Sequence, residues 1–112
     1  MPKKSLHERI KERELGKTGK PEVDVPGGRV DGVVRGTAIQ VAVNPTTTEL
    51  QEDAQVLKTA PQKRKVMVVN KAGDVRKAAQ AMREEGLGGT ARTPKRLGKA
   101  PIKRVSVPKR RR

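Results

Sequence analysis

The chain has 112 residues, a formal net charge of +15, no cysteine and no Phe, Tyr or Trp. This length allows one small domain, whose core must be built from Val, Leu, Ile, Met and Ala; such a core is thin and invites added stability from nucleic acid, a protein partner or a second copy. Disulfides, thiolate metal sites and Cys-His nucleophiles are excluded, no apolar run is long enough for a membrane span, and "MPKKSLHERIKEREL" lacks a secretory apolar segment, so a soluble, cytoplasmic protein is expected.

The elements follow in chain order. "SLHERIKEREL" carries Leu6 and Ile10 at helical spacing, with Ser5 as N-cap, Glu8 three residues on and Gly16 as a stop. "PEVDV", "RVDGVV" and "TAIQVAVN", separated by "PGG" and "RG", read as a three-strand meander. "TTTELQEDAQVLKTAP" predicts a helix with Leu50, Ala54 and Leu57 on one face and Pro61 as terminator. The run at 66–69 has the character of a central strand covered on both faces. "GDVRKAAQAMREEGLGG" then gives a helix with Asp74 as N-cap and Val75, Ala78, Ala79 and Met82 as its packed stripe. The order helix, three strands, helix, strand, helix predicts an α/β fold with a mixed sheet over residues 1–87.

Residues 86–112 contain 10 Lys or Arg and no acid, so two thirds of the net charge lies in the last quarter of the chain. Rich in Gly and Pro, residues 88–112 read as a disordered basic arm. The functional reading is a polyanion-binding tail that contacts phosphates through Lys95, Arg96, Lys103, Arg104, Lys109, Arg110, Arg111 and Arg112; the alternative is a merely solubilising tail. Arg29, Arg35 and the "QKRK" residues Lys63, Arg64 and Lys65 extend the basic set. Without aromatic side chains for base stacking, contacts fall mainly on phosphates, and DNA and RNA are not distinguished. An anionic membrane surface is disfavoured because nothing amphipathic accompanies the charge.

The stretch "GGRVDGVVRGTAIQVAVN" places two polar groups in an apolar hairpin. With Arg35 and Gly36 as a two-residue turn, Val34 pairs with Thr37, Asp31 lies opposite Gln40 and Arg29 opposite Ala42. Asp31 and Gln40 then share the less apolar face, while Val30, Val34, Ile39, Val41 and Val43 form an apolar layer on the other.

This pattern resembles the PD-(D/E)XK nuclease superfamily, in its restriction-endonuclease-like and polymorphic-toxin forms, with a "GRxD" strand followed by an "IExK" strand. The resemblance covers roughly residues 5–85 and is one of pattern. It implies that Asp31 is the first carboxylate and a ligand of Mg²⁺ or Mn²⁺, that Gln40 stands at the second acid and that Ala42 stands at the lysine. Two of the three positions depart from the chemistry, by divergence or by design. Lys58, Lys63 or Lys65 could supply the amine from another element, and Glu8, Glu12, Glu22 or Asp24 could add ligands. Outside that resemblance, Asp31 reads as a solvated residue paired with Arg29 or Arg35, and Gln40 as a cross-strand hydrogen-bond partner. Other chemistry is poorly supplied: His7 is the sole histidine, Ser5 and Ser106 are the only serines, and "GLGGT" lacks the ending of a phosphate loop. The expected function is nucleic-acid binding on a degenerate nuclease-like core with metal-dependent hydrolysis weak or lost; the alternative is a structural RNA- or DNA-binding protein, ribosomal or nucleoid-like, with a basic arm and no catalysis.

Overall fold

A computed structural model of the chain describes residues 5–94 and 103–108. The elements are α1 (Leu6–Leu15), β1 (Lys20–Val25), β2 (Gly28–Val34), β3 (Thr37–Ala42), α2 (Thr47–Thr59), β4 (Arg64–Val69), a 3₁₀ turn (Ala72–Asp74), α3 (Val75–Glu84), β5 (Gly89–Arg92) and β6 (Arg104–Val107). They build a mixed sheet in the order β1-β2-β3-β4-β5-β6. The β1–β2, β2–β3 and β5–β6 pairs are antiparallel, whereas β3–β4 and β4–β5, each joined through a helix, are parallel. The expected α/β order is therefore observed, extended by two strands.

Local chemistry sets most boundaries. Ser5 Oγ accepts from Glu8 N at 3.2 Å, and Thr46 forms a reciprocal capping box with Glu49. Arg35 and Gly36 at φ 49° and 74° form a two-residue turn that closes on Val34 opposite Thr37, the expected register. Asp74, expected to cap α3, makes no side-chain cap bond. The 3₁₀ turn, closed by Asp74 N donating to Lys71 O, leads into the helix instead.

Both faces of the sheet are covered. On one, α2 and α3 set Leu50, Leu57, Val75 and Met82 against Val30, Ala38, Ala42, Met67, Val69, Ala91 and Val107. On the other, Ile10 and Leu15 of α1 pack on Ile39, Val41 and Val68. An ion pair is buried beside this second layer: Arg92 Nη1 donates to Glu14 Oε2 at 3.0 Å, and Nη2 donates to Glu14 Oε1. The pair ties the end of α1 to β5.

The reading of residues 88–112 as a disordered arm is corrected for Gly89–Arg92 and Arg104–Val107. These short segments become strands because β4 offers an open parallel edge to the first, the first offers an antiparallel edge to the second, and the packed helices bury Ala91 and Val107. Their apolar alternation is too brief and too diluted by Arg and Lys to be read locally. Lys95, Arg96, Lys109, Arg110, Arg111 and Arg112 lie outside the described residues.

Val107 is 4% exposed, so Val107→Ala should destabilise the domain by about 1–3 kcal/mol in a denaturant titration. An unchanged midpoint would return this segment to the status of an arm.

Candidate functional site

Asp31 sits where β2 departs from regular pairing. The β1–β2 pairs skip Glu22 and Asp31, with Glu22 at φ 51°, and the β2–β3 pairs end at Gly32 opposite Ile39. Strand alternation should put Val30, Gly32 and Val34 on one face. Instead Val30 joins the α2/α3 layer and Val34 packs on the α1 side; a Cβ on Gly32 would run into Leu15 of α1. The alternation slips by one residue at Asp31 while the β1–β2 register is unchanged, because both strands are interrupted together, at Glu22 and Asp31.

Two side chains replace the missing backbone partners. Gln40 Oε1 accepts from Asp31 N at 2.8 Å, and Asp31 Oδ2 accepts from Val41 N at 2.7 Å. Asp31 and Gln40 are thus neighbours, as the hairpin register predicts. The face assignment is corrected: Gln40 alternates with Ile39 and Val41, lies on the side of the larger α2/α3 core, and is 4% exposed. Val30 lies on the opposite side from Val34, Ile39, Val41 and Val43 because of the slip at Asp31.

The surroundings of Asp31 differ from the nuclease pattern. Ala42, at the lysine position, is buried in the core. Arg29 pairs with Asp24 at 3.0 Å, which removes both the expected Asp31–Arg29 pairing and Asp24 as a ligand. His7 Nε2 lies 3.3 Å from Asp31 Oδ2. The ammonium near Asp31 belongs to Lys11 of α1, 3.2 Å from Glu8 and 3.7 Å from Glu22. Burial alone would lower its pKa, but the hydrogen bond and charge of Glu8, then the charges of Glu22 and Asp31, outweigh it and raise the group above its ordinary value. Glu8 and Glu22 are therefore occupied by Lys11, and Glu12 is an exposed residue of α1. His7 and Lys11, spaced to share a helical face, are residues that the sequence pattern could have offered and that strand motifs overlook.

Beside Asp31 lies a cavity of about 380 Å³ whose lining includes Gln40, Glu49, Glu52 and Asp53. Desolvation, followed by the negative charges of Asp31, Glu49 and Glu52, pushes the Asp53 carboxyl up to about 7. Among the described residues no group of three or more His, Asp or Glu is arranged to hold a metal ion. Asp31 Oδ2 and Gln40 Oε1 each accept from a backbone N–H, and Gln40 supplies no charge where the nuclease pattern has its second carboxylate.

A second cavity, of about 1280 Å³, lies at the other end of β3. Arg13 and Lys17 from the end of α1, Arg35 from the β2–β3 turn, Lys58 from α2, Lys63, Arg64 and Lys65 from the approach to β4, and Arg104 from β6 all line it. Its one lining carboxylate among the described residues, Glu14, is bound by Arg92. Arg35, Lys63, Arg64, Lys65 and Arg104 from the predicted basic set thus converge, whereas Arg29 lines the acidic cavity and Lys103 lies exposed outside both linings. Lys58, Lys63 and Lys65 line this cavity, which does not include Asp31, and so do not supply its missing amine. Arg13 and Lys17 join the groove only because α1 crosses the sheet. Comparison with protein-family models, curated proteins and solved structures finds no match.

Gln40→Ala removes the acceptor of a backbone N–H beside the core and should cost about 1–3 kcal/mol in unfolding free energy. The raised Asp53 pKa has a definite linkage sign: between about pH 4 and pH 7 the folded state binds the proton that the unfolded state has released, so stability falls as pH rises, by up to about 1.4 kcal/mol per unit. Asp53→Asn should flatten that slope in thermal melts and stabilise the protein most at pH 8, with the difference from the parent vanishing near pH 4.

Proposed function

We propose that this chain binds nucleic acid through the phosphate backbone in the basic groove, and that its nuclease-like core acts as a scaffold without hydrolytic activity. The observation that carries this reading is the convergence of eight Lys or Arg side chains from five segments around one cavity whose only carboxylate among the described residues is already neutralised. Clefts lined by one sign of charge concentrate the opposite sign. Seating phosphates on these cations releases counterions and gives affinity that is steeply salt-dependent and largely indifferent to sequence.

The basic cavity meets β3 at Thr37 and Ile39, and the Asp31 cavity meets it at Gln40, Val41 and Ala42, toward the other end of the strand. Glu49, Glu52 and Asp31 favour keeping phosphates out of the second cavity. Asp31 and Gln40 meanwhile complete the backbone hydrogen bonding of the sheet. The element order and the resemblance of "GRVDGVV" to a nuclease strand support a nuclease-like scaffold, while the use made of its two polar groups supports loss of the chemistry. No helix among the described residues is long and apolar enough to cross a membrane.

Titrating a 20-base-pair DNA duplex or a structured RNA against the protein should give tight binding at low salt, with log affinity falling linearly as log salt rises. Lys63→Gln combined with Arg64→Gln should make the slope shallower by about 2 on duplex DNA, near one unit per lost phosphate contact, with little change between sequences. Incubation of plasmid and RNA with Mg²⁺ or Mn²⁺ should yield no cutting. Metal-dependent cleavage abolished by Asp31→Ala would instead make the core a working nuclease.

A further inference from the structure

The buried Glu14–Arg92 pair sits in the lining of the groove. Glu14 and Arg92 are 6% exposed each, joined through two hydrogen bonds, with Arg92 Nη1 also donating to Thr93 O at 3.2 Å. Desolvating two charges offsets much of their attraction, so well-packed apolar residues in the same places are often no less stable. What a bidentate guanidinium–carboxylate pair supplies better than an apolar contact is direction.

The direction imposed here matters for the groove. The α1 helix packs its apolar residues Ile10 and Leu15 over β3 and β4, contacts that are non-directional and would tolerate a slide or rotation of the helix. Glu14 lies between Arg13 and Leu15 and reaches past β4 to β5, the next strand but one from β3. It fixes the last turn of α1, and with it the exposed side chains of Arg13 and Lys17 beside the groove.

On the reading that the groove binds nucleic acid, we infer that Glu14 and Arg92 are positioning residues: their pair holds the end of α1 so that Arg13 and Lys17 reach the phosphates seated by Arg35, Lys63 and Arg64. The pair contributes no net charge to the groove, so its effect on binding is geometric.

That neutrality makes the inference testable by salt titration on a 20-base-pair DNA duplex. The double substitution Glu14→Leu/Arg92→Met leaves net charge unchanged. It should lower affinity about tenfold or more and make the salt slope shallower by about 2, the signature of two lost phosphate contacts. On an Arg13→Gln/Lys17→Gln background the same pair of changes should cause no further loss, whereas general loosening of the fold would add its own. Glu14→Gln serves if the double variant fails to fold. It raises the net positive charge, so a groove acting by charge alone would bind more tightly, and the positioning role requires weaker binding. Parent-like affinity and slope in Glu14→Leu/Arg92→Met, or tighter binding by Glu14→Gln, overturns the inference and leaves the groove reading intact. Absence of salt-dependent binding by the parent protein overturns both.

Discussion

Two backbone amides near the middle of the sheet, those of Asp31 and Val41, find their hydrogen-bond acceptors in side chains, Gln40 Oε1 and Asp31 Oδ2. A buried N–H without a partner is costly, so the slip in β2 requires this exchange. The slip in turn distributes the aliphatic residues. Val30 fills the layer under α2 and α3, while Gly32 gives Leu15 room and Val34 joins the layer under α1. In a chain without aromatic residues, a sheet with both faces covered needs each of these aliphatic contacts. The polar pair that resembles a catalytic motif is thus engaged in building the sheet.

Charge is segregated along the same sheet. At one end of β3 the groove collects Arg and Lys from α1, the β2–β3 turn, α2, the approach to β4 and β6, and at the other Asp31, Glu49, Glu52 and Asp53 surround a smaller cavity. The two linings meet near the middle of β3, at Ile39 and Gln40, so the basic and acidic regions adjoin along the strand while drawing their charges from different elements. The acidic end carries an internal cost: the burial and crowding that push Asp53 up to about 7 also penalise its ionised form.

The helix α1 links the two ends. Its first turns bring His7 and Lys11 to the side of Asp31, Glu8 and Glu22, and its last turn sets Arg13 beside the groove while Glu14 engages Arg92. A short helix held by two buried apolar residues gains definition from these charged contacts at both ends. The arrangement explains why buried Lys11 and Glu14 occur on a helix of otherwise modest amphipathicity.

Much of the fold was legible in the sequence because it rests on local chemistry. Ser5 and Thr46 as caps, Arg35-Gly36 as a two-residue turn, the apolar run at 66–69 and the stripe of α3 each specify their element through neighbours in the chain. The turn even fixed Asp31 as the neighbour of Gln40. Tertiary structure decided what no local pattern encodes. Gly89–Arg92 is a strand because the open edge of β4 receives it, and Arg104–Val107 because β5 then offers the next edge, with the helices packed over both. The face of Gln40 and the side taken by Val30 follow from one slipped residue. Lys11, Glu14 and Asp53 acquire their partners and surroundings only when a helix crosses the sheet, because the Coulomb energy and desolvation that define them depend on distances in space rather than separations in sequence.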